Sequence, residues 1–524
     1  MINAFFILIF ATALTAVGLG TRYTLHMFQQ GSYQYRSYWR YMKTHPLMTL
    51  LPLTGLIPLM AWVFVGKTLA AVTVILILEW LCLLLLILLY RPRAAKKKLV
   101  FTARVKRLTV TTAALYGLTL SAVLLTAGVS WRTLLVLAMP GAMLSPYMVL
   151  LANLVNTPVE KGINRHYIRD ARRMLKACPD LKIIGITGSY GKTSVKYYLE
   201  SLLGAQYDVL KTPESFNTPM GVVKTIRGSL RATHEIFLCE MGARHVGDIK
   251  EICDIVDPQI GVITSLGYQH LETFKTLDNI VGTKRELFDA LPQGAPRFVN
   301  GDNEFVRQYK VDQGAVTYGL EEGNAYRACD LEYSEKGTAF WVQAPDGGRE
   351  RFTTRLLGEH NVTNITGAIA VSHELGIPLD KLKLPVHRLE GAPHRLQPIA
   401  RGNTIIIDDA YNSNPGGAHM ALKTLERFSG LRVLVTPGMV ELGEQEDRYN
   451  YELGREATQC CDYIVLVGRK QTESILKGVK DTDFDGSRLY VAENLQDAMT
   501  YVNALHTDQK KIVLLENDLP DSYL

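Results

Sequence analysis

The chain is short of several things. Its seven cysteines form no C-x-x-C pair and sit mostly in apolar surroundings. That argues against a disulfide framework or a zinc site and fits buried thiols in a reducing compartment. The net charge is only +6 over 524 residues, and much of the basic excess lies beside apolar runs. Such a distribution suits membrane orientation and argues against nucleic-acid binding. There is no solenoid-type repeat and no low-complexity tract. Long apolar runs nearly vanish after residue 155, and the pattern then alternates as in a soluble α/β protein. At this length one domain is too few, and three is the natural expectation.

Before residue 155 the chain holds five runs long enough to cross a bilayer: about Ile2–Gly20, Leu47–Gly66, Thr68–Tyr90, Leu108–Val129 and Thr133–Val155. A span takes roughly 20 apolar residues. The first run lacks a basic start, so it reads as a retained helix and not a signal peptide. The loops Thr21–Pro46 (Arg22, Arg36, Arg40, Lys43) and Arg91–Arg107 carry most of the nearby Lys and Arg. They should be cytoplasmic. The N-terminus is then outside and everything after Val155 is cytoplasmic, as in a multi-pass cell-membrane protein. Glu79 lies inside the third run, where a carboxylate is either functional or bonded to a neighbouring helix. Pro140 and Pro146 predict a kink in the fifth. Lys161–Lys176 is a basic, helix-prone linker that suits either anionic headgroups or water.

The chemistry centres on Ile183-Ile184-Gly185-Ile186-Thr187-Gly188-Ser189-Tyr190-Gly191-Lys192-Thr193-Ser194. This is the order of a buried strand, a glycine turn and a helix start. Gly188 and Gly191 let backbone N–H groups turn inward on phosphate oxygens. The helix start adds its free N–H groups and positive dipole end. Lys192 is placed to neutralise phosphates and Thr193 to ligate Mg²⁺. The strict G-x-x-x-x-G-K-[ST] form would need glycine at Ile186, whereas the shorter T-G-x-x-G-K-T form is intact.

From Leu181 strands and helices alternate, which predicts a mostly parallel sheet covered on both faces. Glu235–Glu240 is a buried strand ending in a carboxylate, and Gln259–Thr264 is another, followed by His270. Both Glu240 and His270 fall beyond strand C-termini, where such sheets bind ligands. Phe298–Leu356 reads as a less regular subdomain or excursion, and Leu357–Gly376 as a helix. A second α/β unit has strands near Thr404–Asp408, Arg432–Thr436, Tyr463–Val467, Leu489–Ala492 and Lys511–Glu516. The hinge falls at Gly391-Ala392-Pro393. The expected organisation is α/β. An all-α transmembrane domain (1–155) and a basic linker (156–180) lead to a central phosphate-loop, parallel-sheet, ATPase-like domain (181–393) and a Rossmann-like domain (394–524).

Several motifs in order resemble the Mur ligase family, with its dipeptide-adding MurF subgroup nearest. They are the phosphate loop, Phe216-Asn217-Thr218-Pro219, Glu240-Met241-Gly242-Ala243, His270, Lys284-Arg285-Glu286, Gly358-Glu359-His360-Asn361-Val362 with Asn364, Asp408-Asp409-Ala410-Tyr411-Asn412-Ser413-Asn414-Pro415, and Gly438-Met439-Val440-Glu441-Leu442-Gly443. The resemblance covers about Leu181 to Leu524. It implies an ATP-dependent acid–amine ligase that works through an acyl phosphate in cell-wall precursor synthesis. Lys192, His270, Lys284 and Arg395 would be catalytic, and Lys284 would be carbamylated. One or two Mg²⁺ would sit on Thr193, Glu240, His270 and Lys284. ATP would contact Thr187, Gly188, Ser189, Tyr190, Gly191, Lys192, Thr193, Ser194, Asn217, His360, Asn361, Asn364, Asp409 and Asn412.

The chain departs from the family in three places. Histidine precedes Arg395 where glycine is usual. The last strand ends Leu514-Leu515-Glu516-Asn517-Asp518 where MurF shows Lys-Gly-Ser. Membrane runs stand where the soluble uridine-nucleotide-binding domain is expected. The last of these suggests a carboxylate-bearing envelope precursor that is membrane-associated or lipid-linked, joined to an amino acid or dipeptide. A polyglutamate-type ligase and an ATP-driven transporter are the competing readings. Few intramembrane charges, and no transport-ATPase signature after the phosphate loop, count against the transporter.

Overall fold

The computed structural model describes residues 2–31, 33–45, 69–92, 98–127, 142–214, 216–334, 337–356, 358–392, 394–410 and 413–519. In the N-terminal part, helices cover Ile2–Gln30, Tyr35–Thr44, Leu69–Tyr90 and Ala103–Ala127. The first, third and fourth are long and apolar enough to cross a membrane. These match the first, third and fourth expected runs. The second expected run lies outside the described residues, as does the start of the fifth, including Pro140. The expected loop at Thr21–Pro46 is mostly helical instead. Thr21–Gln30 contains neither glycine nor proline and buries Leu25 and Phe28, so the first helix runs on to Gly31. Ser145–Lys176 is one helix with Pro158 inside it, so the expected linker simply continues a helix up to Ala177-Cys178-Pro179. Glu79 is buried among these helices.

The part from His166 to Leu519 is built on two sheets. The strands of the first are β1 Lys182–Thr187, β2 Val209–Lys211, β3 Ile236–Glu240, β4 Ile260–Ile263, β5 Arg297–Asn300, β6 Val316–Gly319, β7 Tyr326–Ser334, β8 Gly337–Gln343 and β9 Arg349–Thr354. Their order is β2-β3-β1-β4-β5-β6-β7-β8-β9. The pairs from β2 to β7 are parallel, while β8 pairs antiparallel with both β7 and β9. Ile184, Ile186, Leu238 and Val262 bury one face of this sheet, and Ile183, Phe237, Cys239 and Ile263 the other. That two-sided burial is why these strands read as continuous apolar runs. Phe298–Leu356 is not a separate excursion: β5 to β9 extend the same sheet. Short parallel strands and a pair of hairpins simply lack the strand–helix rhythm used to recognise the rest.

The second sheet is β10 Gln397–Arg401, β11 Thr404–Asp409, β12 Leu431–Thr436, β13 Tyr463–Val467, β14 Leu489–Ala492 and β15 Lys511–Glu516, in the order β10-β11-β15-β12-β13-β14. β10 pairs antiparallel with β11, and the other pairs are parallel. Strands β11 to β15 stand where the sequence puts them. β10 is additional, an edge strand with Pro398 inside it, which hides the pattern.

Candidate active site

The phosphate loop leaves β1, an interior strand of the first sheet, with β3 on one side and β4 on the other. The chain order reverses there, as at the ligand crevice of open α/β sheets. The loop is locked from both sides. Thr187 Oγ1 donates to Met241 O at 2.9 Å, Ser189 Oγ to Gly267 O at 2.9 Å and Tyr190 OH to Tyr268 O at 2.9 Å. Thr187, Ser189 and Tyr190 therefore shape the loop with their side chains, and the Ser189 and Tyr190 N–H groups both donate to Ser265 O, at 2.7 and 3.3 Å. Gly191 has φ +80°, and a Cβ there would lie 2.7 Å from Asn364 Oδ1. The position demands glycine on both counts. Asn364 thus borders the loop, on the helix Glu359–Glu374.

Lys192 opens the helix Lys192–Leu203 and curls over its own loop, donating from Nζ to Gly188 O at 2.6 Å and Ser189 O at 3.2 Å. Burial lowers its pKa to about 8, helped by Arg395 and opposed by Glu240. Thr193 Oγ1 donates to Glu240 Oε1 at 3.1 Å, and Asn217 Nδ2 donates to the same oxygen at 3.1 Å. Ser194, one residue further on, acts on the buried Tyr198 hydroxyl.

Sequence reasoning missed the partner that makes Glu240 tolerable. Lys196 is 0% exposed and Glu240 1%, and their Nζ and Oε2 are 2.8 Å apart. Lys196 Nζ also donates to Glu214 O at 2.6 Å. Burial alone would raise the Glu240 pKa, but Lys196, then Lys192 and Asn217, hold it below the usual carboxylate range. The signal was the i, i+4 spacing of Lys192 and Lys196, which puts both on one face of a helix with a buried carboxylate beside it.

His270 and Lys284 approach the same region from the other flank. His270 has φ +50°, and its Nδ1 lies 2.5 Å from Oε2 of Glu441, on the loop after β12. Burial lowers its pKa and the Glu441 contact opposes the shift. Arg244 Nη1 is 3.6 Å from the other Glu441 oxygen. Lys284 is 1% exposed. Burial first, then the charge of Lys192, drive its pKa well below that of an ordinary lysine. Burial thus favours the neutral amine at Lys284.

The remaining predicted residues divide. Arg395 lies close enough to act on Lys192, Asp409 and Glu516. Asp409 Oδ1 accepts from Leu396 N at 3.2 Å. Asn361 is turned to structure, with Oδ1 accepting from Tyr198 OH at 2.7 Å. His360 is pushed down to about 4 by burial. It is placed beside Gly358, and its Nδ1 is buried without a hydrogen-bond partner. Asn412 lies outside the described residues. No trio of His, Cys, Asp or Glu side chains stands together as a ready metal cage among the described residues.

A phosphate loop, a strand-end carboxylate beside its threonine and a second α/β sheet that reaches the site through Glu441 and Arg395 define an ATP-dependent ligase of the two-sheet kind. Comparison with known proteins agrees. The Mur ligase middle domain matches residues 186–372, and the Mur ligase, glutamate ligase domain matches 394–516. The UDP-N-acetylmuramoyl-tripeptide–D-alanyl-D-alanine ligase of Escherichia coli (strain K12) is 30% identical over 339 residues, covering 62% of this chain and 74% of its own length. The next relatives of the same description are spanned less fully, 64% and 65% for two Buchnera enzymes and 59% for the Bacillus subtilis one. Crystal structures of MurF from Acinetobacter baumannii and, with ADP, from Thermotoga maritima superpose with TM-scores of 0.62 and 0.60 at 26% and 25% identity. They cover 69% and 68% of this chain and 78% and 81% of theirs. The chain belongs to the Mur ligase family of ATP-dependent amide ligases, and within it the chain is MurF-like.

Proposed function

We infer that the chain joins the carboxylate of a UDP-muramoyl-tripeptide-type precursor to D-alanyl-D-alanine, at the cytoplasmic face of a membrane entered by its own N-terminal helices. The observation that carries the ligase reading is the contact between Thr193 and Glu240 beside Lys192, on a fold whose relatives include the MurF enzymes above. The three long apolar helices carry the membrane part.

Each residue has a task in such a reaction. The N–H groups that open the helix Lys192–Leu203, together with the Lys192 side chain, hold the nucleotide phosphates and offset charge as the γ-phosphoryl moves to the carboxylate. To do so, Lys192 exchanges its two carbonyl contacts for phosphate oxygens. Mg²⁺, when bound, would supply further charge neutralisation. Thr193 Oγ1 and Glu240 Oε1, 3.1 Å apart, form a hard-oxygen pair that fits this ion. Lys196 keeps Glu240 ionised for that role. Lys284, with its depressed pKa, is suited to carbamylation, which would add a carboxylate to the same flank. Glu441 fixes the orientation of the His270 ring, which lies close enough to Lys284 for their charges to interact. Arg395 acts electrostatically on Lys192 and on Asp409 and Glu516 of the second sheet, and is suited to follow the phosphates on closure.

The apolar helices favour a second form of this reading, in which the acid is lipid-linked. One experiment addresses both. Full-length protein in detergent is given ATP, D-alanyl-D-alanine and either the UDP-linked tripeptide or an envelope lipid extract, and products are read by mass spectrometry. An amide product with matching ADP is expected from one of the two acids. ADP release that ignores both acid and amine would reject the ligase reading.

A further inference from the structure

Tyr190 joins the two sheets from inside the phosphate loop. Its ring lies against the bare backbone of two glycines. A Cβ on Gly267, in the loop after β4, would stand 2.5 Å from Tyr190 Cε2, and one on Gly416 would stand 3.2 Å from the same atom. Gly416 is in the first turn of the helix Pro415–Glu426, which packs on the second sheet through Ala418, Ala421, Leu422 and Leu425. The Tyr190 hydroxyl donates to Tyr268 O at 2.9 Å. The Tyr268 ring in turn lies 5.9 Å from that of Tyr449, on the helix Glu446–Cys460 beside the second sheet. Other contacts also cross between the sheets, such as His270 to Glu441. Tyr190 differs in starting from the phosphate loop itself.

The loop ties the position of this ring to Lys192. Ser189 O and Tyr190 N belong to one planar peptide unit. Its oxygen accepts from Lys192 Nζ at 3.2 Å, and its N–H donates to Ser265 O at 3.3 Å. When phosphates take the Lys192 ammonium, that peptide keeps only one of these two anchors. A ring wedged between two backbones cannot shift alone, because interiors are close-packed. A change at the loop therefore reaches Gly416 in a single contact.

We propose that Tyr190 is a positioning residue, whose ring carries occupancy of the phosphate loop to the helix Pro415–Glu426. It thereby sets the second sheet, and with it Glu441 and Arg395, in register with bound nucleotide. The proposal rests on the nucleotide-binding part of the ligase reading. By linkage, fixing this helix tightens the nucleotide.

Hydrogen exchange reads the link without turnover. Full-length protein in detergent is exchanged with and without Mg²⁺ and a non-hydrolysable ATP analogue, and peptides spanning 183–194 and 413–426 are followed by mass. In the wild type the analogue should slow exchange in both, by about tenfold or more in the helix, the size of an ordinary coupling between sites. Tyr190→Ser removes the ring, so the analogue should still protect the loop but no longer the helix. Tyr190→Phe keeps the ring and should keep the helix response. Gly416→Val presses a branched side chain on the ring from the second sheet and should also lose the helix response, with the loop still protected. Adding it to Y190S should cost nothing further, because both act through one contact. The proposal is overturned if the helix still responds to the analogue in Y190S or in G416V. It is equally overturned if Y190S exposes the helix before any analogue is added, which would make the ring a plain packing residue. If the analogue protects neither region in the wild type, the proposal and the ligase reading fall together. The expected exchange pattern with no amide formed from either acid would sink the ligase reading alone.

Discussion

Replacing Lys196 by methionine is the sharpest test of how the site is held together. The wild-type pair is dry on both sides, with Lys196 0% and Glu240 1% exposed. Methionine keeps the volume and removes the charge. Glu240 is then left with one hydrogen bond each from Thr193 and Asn217 and the more distant charge of Lys192. Removing one member of a buried ion pair typically costs about 3–5 kcal/mol, because the other charge is stranded. The surviving hydrogen bonds place this case near the lower end, at about 3 kcal/mol. For the unit from His166 to Leu519 that corresponds to a fall in melting temperature of roughly 4 °C. Pulse proteolysis of the full-length protein across a urea series reads the loss. The K196M/E240Q double variant should recover much of the stability and none of the ATP turnover. If K196M loses less than about 1 kcal/mol, as for an exposed pair, the pair is solvated in solution and the argument for Glu240 fails.

Other expectations follow from single contacts. Gly191→Ala forces a left-handed backbone on alanine and a Cβ to within 2.7 Å of Asn364; the KM for ATP should rise about tenfold or more, from a conformational cost of about 1–2 kcal/mol. Glu441→Gln removes the carboxylate that His270 Nδ1 contacts and should lower kcat by about tenfold, as lost orienting partners do, with little change in the KM for ATP. Lys284→Ala should lower kcat by about a hundredfold. Formate should restore part of the loss and methylammonium none, if the native group is a carbamate. Glu516 predicts a pH effect on stability. Its folded pKa is raised by burial and by Asp409, against Arg395 and the Ser413 hydrogen bond, so the folded state holds a proton that the unfolded chain releases above its ordinary value of 4.5. Stability should fall as pH rises from there, and thermal melts of E516Q should show a smaller fall.

The sequence makes the local parts of this site legible and hides the distant ones. The phosphate loop is readable because glycine, lysine and threonine at fixed spacing have few other uses. Strands β11 to β15 are readable because two-sided burial writes them as short apolar runs. The Lys196–Glu240 pair is not, because Lys196 looks like any polar helix residue and its partner is 44 positions away. The His270–Glu441 contact spans 171 positions and joins residues carried by the two sheets. The Asp409–Glu516 pair depends on β15 lying beside β11, a strand order that periodicity cannot supply. Asn361 shows the reverse case. It belongs to the expected nucleotide motif, yet its side-chain oxygen is spent on Tyr198.

Isotope transfer tests the central claim most directly. The UDP-linked tripeptide acid, labelled with ¹⁸O in its reacting carboxylate, is turned over with ATP and D-alanyl-D-alanine, and the released phosphate is analysed by mass. An acyl-phosphate ligase must pass one labelled oxygen from the carboxylate to phosphate for each amide formed. Unlabelled phosphate accompanying amide product, or label appearing in AMP, would contradict the account.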